Sequence, residues 1–259
     1  MTGSEAEDCR VSVCMATYNG AEFVAEQLRS ILDELTERDE VVVVDDGSAD
    51  ATLQVLRGFQ DRRVRLHPNE DNLGYVRTFA RAMTLSRGRF LILADQDDVW
   101  VAGRVDAMVQ ALRRVDVVAT NLTTLGGPPG LRGPLGQKDW RLRAEDSTHH
   151  VRNIVGILAG ARPYYGSAMG VRREALRDVL PTPPWLNESH DLWLALYGNV
   201  ARSIEHLDIV SVQRRMHGAN QTPERPRSLP LVVRSRLLLL RATLTLARRV
   251  LSAGGVRGR

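Results

Sequence analysis

Apolar and polar positions in the first 120 residues follow two rhythms: short unbroken apolar runs, and stretches with an apolar residue every third or fourth position. Val11–Ala16 is a run of the first kind and stops at Thr17-Tyr18-Asn19-Gly20, a turn signal. Phe23, Val24, Gln27, Leu28, Ile31, Leu32 and Leu35 then recur at helical spacing. Val41–Val44 is four β-branched residues in a row, the pattern of a strand buried on both faces of a parallel sheet, and it stops at Asp45-Asp46-Gly47-Ser48. A helix through Leu53, Leu56 and Phe59 follows, then a short strand at Val64–His67. Val76, Phe79, Ala80 and Met83 mark a third helix, and Phe90–Ala94 a buried strand ending in Asp95. Val105, Met108, Val109 and Leu112 form a fourth helical stripe, and Val115–Ala119 a further strand. This order predicts an α/β fold: a mostly parallel central sheet with helices on both faces.

The rhythm breaks after Thr120. Gly126–Gly136 holds five glycines and three prolines, a loop or flap. Beyond it the pattern is mixed, with helix-like stretches near Arg172–Leu180 and Asp191–Tyr197. The segment from Leu229 to Leu251 is apolar but carries Arg234, Arg241 and Arg248 at seven-residue intervals, on one helical face. So many arginines argue against a membrane-spanning helix. An amphipathic helix lying on a membrane or partner and one packed on its own domain both fit that pattern.

Composition adds little to the fold: 43% of residues are hydrophobic and 25% charged, an ordinary globular balance. Charge adds more. From Pro223 to Arg259 there are nine arginines against one acid, Glu224, which suggests an anionic surface as partner. No aromatic residues interleave those arginines, so nucleic acid is not an expected partner. Cys9 and Cys14 are five residues apart along one strand and point to opposite faces, so they are expected to be reduced and unpaired. The first eight residues, polar and acidic, carry no secretory pattern, so the expected location is cytoplasmic, with peripheral contact at the inner face of the membrane through the basic tail.

Ligands of such sheets sit at strand ends. Three polar or acidic loops fall there: Thr17-Tyr18-Asn19, Asp45-Asp46, and Asp95-Gln96-Asp97-Asp98. Any one of them would also serve as ordinary turn chemistry. The three carboxylates beside a buried strand need a counter-charge, and a hard divalent cation with oxygen ligands supplies it. Mg²⁺ or Mn²⁺ held partly by substrate phosphates points to a nucleoside-diphosphate site. There is no GxGxxG after the first strand and no P-loop, which disfavours a dinucleotide dehydrogenase and a P-loop kinase.

The ordered set Ala16-Thr17-Tyr18-Asn19-Gly20, Val43–Ser48, Asn72-Leu73-Gly74 and Asp95-Gln96-Asp97-Asp98-Val99-Trp100 resembles the family 2 glycosyltransferases of the GT-A fold. The DQDDVW form is most similar to their rhamnosyltransferase-like branch. The resemblance implies an inverting, metal-dependent transfer of a sugar, rhamnose first, from a dTDP-, UDP- or GDP-sugar. The acceptor would be the hydroxyl of a glycan, a lipid-linked saccharide or a natural product. It implies a glycosyltransferase domain over residues 9–222, with a nucleotide-sugar half at 9–120 and an acceptor half at 121–222, and a basic helix or tail at 223–259.

Residue by residue, Thr17, Tyr18 and one of the Asp45/Asp46 pair would hold the nucleoside, Asp45 being the choice for the base, and Asn72, Asp95 and Arg215 would bind donor. Asp97 and His217 would hold Mn²⁺ or Mg²⁺, with Asp98 in support. The Arg214–Asn220 stretch resembles the family's R-x-H-x-x-N segment, so Arg214 is a further candidate for the diphosphate. Gly166–Met169 resembles the wall beside sugar and acceptor. In Ser189-His190-Asp191-Leu192-Trp193 the family's catalytic base falls at Asp191, with His190 and Trp193 toward the acceptor. Ser189 is a capping candidate, and the first helical turn is expected to favour the ionised Asp191. Two other readings compete. One is an inactive nucleotide-sugar-binding relative; the other is an HD-type phosphohydrolase prompted by His190-Asp191, which the strand-rich N-terminal half opposes.

Overall fold

The computed structural model describes residues 9–127, 131, 133, 136–137, 139–217 and 228–257. Strand and helix alternate as β1 (Val11–Thr17), α1 (Val24–Leu32), β2 (Glu40–Asp45), α2 (Thr52–Arg57), β3 (Val64–Pro68), α3 (Tyr75–Leu85) and β4 (Phe90–Ala94). A two-residue β5 (Val99–Trp100), α4 (Arg104–Leu112), β6 (Val117–Thr124) and α5 (His150–Ala159) follow. The chain continues through β7 (Met169–Arg172), α6 (Leu176–Val179), α7 (His190–Val200), β8 (Ile204–Arg214) and α8 (Leu229–Arg257). Among the described residues all eight strands join one sheet in the order β3-β2-β1-β4-β7-β6-β8-β5.

The left of the sheet is parallel, with β1 between β2 and β4. Residues one apart along these strands face opposite sides, so each strand feeds two cores. Val13, Met15, Val41, Val43 and Ile92 pack under α1 and α4. Cys14, Val42, Val44, Leu91 and Leu93 pack against α3 and the helices of the second half. That double burial is why these strands read as unbroken apolar runs. Cys9 and Cys14 are both free, as read from their faces.

The second half contributes what the pattern left unread. β7 enters antiparallel between β4 and β6, and β8 lies parallel to β6 with two register irregularities. β7 is only Met-Gly-Val-Arg, and β8 carries exposed Ile209 and Val210 where its register shifts, so neither shows clean alternation. β6 starts at Val117, not Val115: the Val115 amide still bonds back to Ala111 of the preceding helix. The helix expected at 172–180 shrinks to α6, because Arg172 is already paired with Phe90 in the sheet.

α8 packs on its own domain against α5, α6 and α7. Leu239, Ala242 and Leu246 are buried in the core, and Arg249 stacks over Trp193 at 5.4 Å while donating to the Asp178 and Pro181 carbonyls. No helix among the described residues is long and apolar enough to cross a membrane.

Candidate functional site

A cleft of about 1250 Å³ opens at the carboxyl ends of β1, β2 and β4 and is closed on the far side by residues 165–167 and the start of α7. The β2 end separates two neighbouring aspartates. Asp45 is wholly buried and accepts hydrogen bonds from the Thr17 hydroxyl (2.8 Å) and from the Ser48 amide (2.9 Å) and hydroxyl (2.6 Å). It shapes the turn, whose Gly47 sits at φ +77°, a conformation suited to glycine. Asp45 is thus buried beneath the turn and does not line the cleft, which departs from the expectation that it reads the base, whereas its partner Thr17, buried as well, does line the cleft.

Asp46 lines the cleft instead. It accepts from Asn69 Nδ2 (2.7 Å) and from the Leu73 (2.8 Å) and Gly74 (2.9 Å) amides, pinning the Asn72-Leu73-Gly74 loop against the cleft rim. Gly74 adopts φ +82° to turn into α3. Tyr18, 46% exposed, stands at the same rim, and Asn72 is exposed beside it.

The loop after β4 gathers Asp95, Asp97 and Asp98. Burial, with the charges of Asp98 and Asp97, holds the Asp95 carboxyl well above the ordinary range, and Arg214 across the cleft opposes this. Asp98 is pushed up to about 6, chiefly by burial and then by Asp97. It accepts from the Arg215 amide at 3.4 Å beneath the cleft surface. Asp97 and His217 meet, with Oδ2 and Nε2 2.8 Å apart, and the imidazole stacks on Phe23 at 4.6 Å.

Arg215 does not reach the cleft. Its guanidinium donates to Glu26 (2.6 Å) and to the Asp97 carbonyl (3.2 Å), over the Phe23 ring. Of the two arginines at this turn, Arg214 is the one that lines the cleft, which corrects the choice of Arg215 as donor contact. Asn220 lies outside the described residues, as does much of the 126–136 loop.

Two residues that the pattern did not single out organise this loop. Gln96 makes a reciprocal pair with Tyr18, accepting from its amide (2.8 Å) and donating to its carbonyl (2.9 Å), which ties the β1 and β4 loops together. Arg104 is buried below them, and burial lowers its pKa to about 9 against the pull of Asp98 and Asp95. It donates to the Leu93 and Ser167 carbonyls and to the Ser211 hydroxyl, under a 4.4 Å stack on Trp100. The clue was available: a basic residue in the first turn of an otherwise apolar stripe, nine residues after Asp95.

At the opposite wall, Ser189 enters α7 with φ 63° and ψ 47° and its side chain makes no capping bond, which corrects the cap reading. Its amide instead donates to Tyr75 Oη at 2.9 Å. Asp191 occupies the first turn and accepts from the Leu192 amide at 2.8 Å, yet burial outweighs that bond and raises its pKa to about 6. The expected preference for the ionised form does not prevail; desolvation wins. Asp191 lies close enough to the acidic loop that its charge also raises Asp95.

His190 stacks on Phe79 (4.3 Å) and meets Tyr75 edge-on (5.5 Å). Burial lowers its pKa to about 4, so it is neutral, and neither ring nitrogen has a partner among the described residues. Trp193 is not part of the cleft: it is buried, its indole N–H donates to the Val179 carbonyl, and its ring meets Trp185 edge-on. Two residues, about half a helical turn, carry it from Asp191 to the core side, which corrects its placement toward the acceptor.

The cleft thus joins an acidic end with a partly desolvated carboxylate on the facing wall. Among the described residues no three His, Cys, Asp or Glu side chains form a closed metal site. The Asp97–His217 pair suits a divalent ion that takes its remaining ligands from a bound phosphate.

The chain belongs to glycosyl transferase family 2, whose sequence profile matches residues 12–180. It is 28% identical over 111 residues to the Escherichia coli UDP-Glc:alpha-D-GlcNAc-diphosphoundecaprenol beta-1,3-glucosyltransferase WfgD, with 43% of this chain and 44% of that protein covered. It is 34% identical over 100 residues to the succinoglycan biosynthesis protein ExoO of Rhizobium meliloti (strain 1021), covering 39% of this chain and 29% of that protein. The matches span less than half the length of either relative. Among solved structures, S. aureus TarS in complex with UDP matches with a TM-score of 0.66 at 19% identity, over 89% of this chain and 64% of that one. The fold is GT-A; the rival reading as an all-helical phosphohydrolase is excluded by the eight-stranded sheet.

Proposed function

We propose that this chain transfers a sugar from a nucleoside-diphosphate sugar to an acceptor hydroxyl, with inversion at the anomeric carbon. The observation that carries the reading is the convergence of Asp95, Asp97, His217 and Asp191 on one cleft. Tyr18, Asp46 and Asn72 form the nucleoside rim. Asp46 oxygens accept three hydrogen bonds and retain room for another, so Asp46 replaces Asp45 as the reader of the base. Arg214 offsets diphosphate charge. Mn²⁺ or Mg²⁺, held by Asp97 and His217, would neutralise charge on the departing diphosphate.

Asp191 takes the proton of the acceptor hydroxyl as that oxygen attacks the anomeric carbon. A carboxylate with a pKa near 6 is a stronger base than an exposed one and is still ionised at neutral pH. Neutral His190, at the cleft wall beside it, is the group to orient a sugar hydroxyl. The DQDDVW form supports rhamnose, from dTDP-rhamnose, as the first donor to try. WfgD acts on a diphosphoundecaprenol-linked saccharide, which supports a lipid-linked acceptor here.

Thermal-shift measurements with UDP, GDP, dTDP, ADP and CMP, each with and without Mn²⁺, test the donor site. One nucleoside diphosphate is expected to stabilise the protein only when metal is present, by about 2.7 kcal/mol at a hundredfold excess over Kd. Asp97→Ala is expected to remove the metal requirement together with the shift. A metal-dependent shift of unchanged size in that variant would overturn the metal assignment.

A further inference from the structure

The buried side of α8 is accounted for by the core; its outer side is not. Val233, Leu237, Leu240, Leu244 and Leu251, at intervals of four, three, four and seven, lie exposed along one stripe. Leu237 is 62% exposed, Leu244 55% and Leu251 75%. Arg234 and Arg241 follow Val233 and Leu240 by one position, Arg248 continues their seven-residue spacing, and all three are exposed, Arg241 with its guanidinium over the Trp185 ring at 4.4 Å. α8 contains no Asp or Glu. α5, which packs beside it, carries exposed Val151 and Val155.

A leucine row edged by arginines, without an acid, matches a surface that is apolar within and anionic at its boundary. We infer that the outer face of α8 docks on an anionic lipid bilayer, with leucines entering the headgroup boundary and arginines meeting lipid phosphates. Charge complementarity selects this occupant. Two copies of the face laid together would set arginine against arginine with no carboxylate from α8 between them. A spanning arrangement is excluded for α8 by its arginines and by its packing on α5, α6 and α7. The inference stands on α8 alone, so failure of the donor-site reading leaves it intact, and its own failure leaves the donor site intact.

Cosedimentation of the full chain with vesicles tests it. Binding is expected to vesicles of equal parts phosphatidylcholine and phosphatidylglycerol, to weaken with added salt, and to be absent with phosphatidylcholine alone. Arg234→Gln, Arg241→Gln and Arg248→Gln combined are expected to reduce partitioning about a hundredfold. Leu237→Ser with Leu244→Ser is expected to reduce it as well, since both sides of the stripe contribute. A cooperative thermal melt at the unsubstituted protein's midpoint in each variant reports that the domain is folded. No sedimentation with anionic vesicles, or equal sedimentation with neutral ones, would overturn the inference. So would light scattering that shows a dimer lost on Leu240→Asp, which would assign the face to a second copy of the chain.

Discussion

Asp191 shows how two opposing local effects are decided by size. A helix N-terminus and the Leu192 amide favour its ionised form, typically by about 1 kcal/mol or less, while burial pushes the other way and leaves the pKa near 6. As the proposed base, Asp191 works deprotonated. kcat is therefore expected to rise with pH through about 6 and level off above it, falling toward tenfold per pH unit on the acid side. Asp191→Asn is expected to lower kcat by roughly 10²–10⁴-fold and to abolish that limb, while the metal-dependent nucleotide shift survives. A variant that keeps the acid limb would assign the limb to another group. The motif around Asp191 was legible through its resemblance to the family, whereas the choice between Asp45 and Asp46 was not. Neighbours at a strand end point to opposite sides, and which of them meets the ligand depends on the Thr17 and Ser48 partners that claim Asp45.

At the scale of elements, the cleft is held by a cation under its floor. Arg104 on α4 ties the end of β4, the 166–168 turn and β8 to one guanidinium. Arg104→Met is expected to leave the Leu93 and Ser167 carbonyls and the Ser211 hydroxyl without their buried donor, at a cost of about 3 kcal/mol. For a chain of this size that lowers Tm by roughly 6–12 °C. An unchanged melting curve would show that the guanidinium is dispensable. The parallel strands were readable because burial on both faces makes them unbroken apolar runs. β7 and β8 were not, since four residues carry no periodicity and the bulged β8 interrupts its own. Trp193 misled for the same reason: helical spacing places it near Asp191 in sequence, but only the packing of α7 on α6 and α8 decides which face is core.

For the molecule as a whole, α8 is a part of the fold and not an appendage. Leu246→Ala, in the core, is expected to cost about 2–5 kcal/mol, and Leu244→Ala, two residues earlier on the outer face, no more than about 0.5 kcal/mol. Thermal melts of the pair separate the two faces; equal losses would mean that the outer stripe is also packed. The sheet order carries one more consequence. Synthesis delivers β3, β2, β1 and β4 by residue 94, but the neighbour that covers β4 is β7, completed only at residue 172. For that interval a nascent chain presents five apolar residues on a strand with an unpaired edge, the arrangement most open to pairing with another chain. The late insertion that sets residues 166–168 against the end of β4 and completes the cleft thus leaves that edge of the half-made protein open until the far side of the cleft arrives.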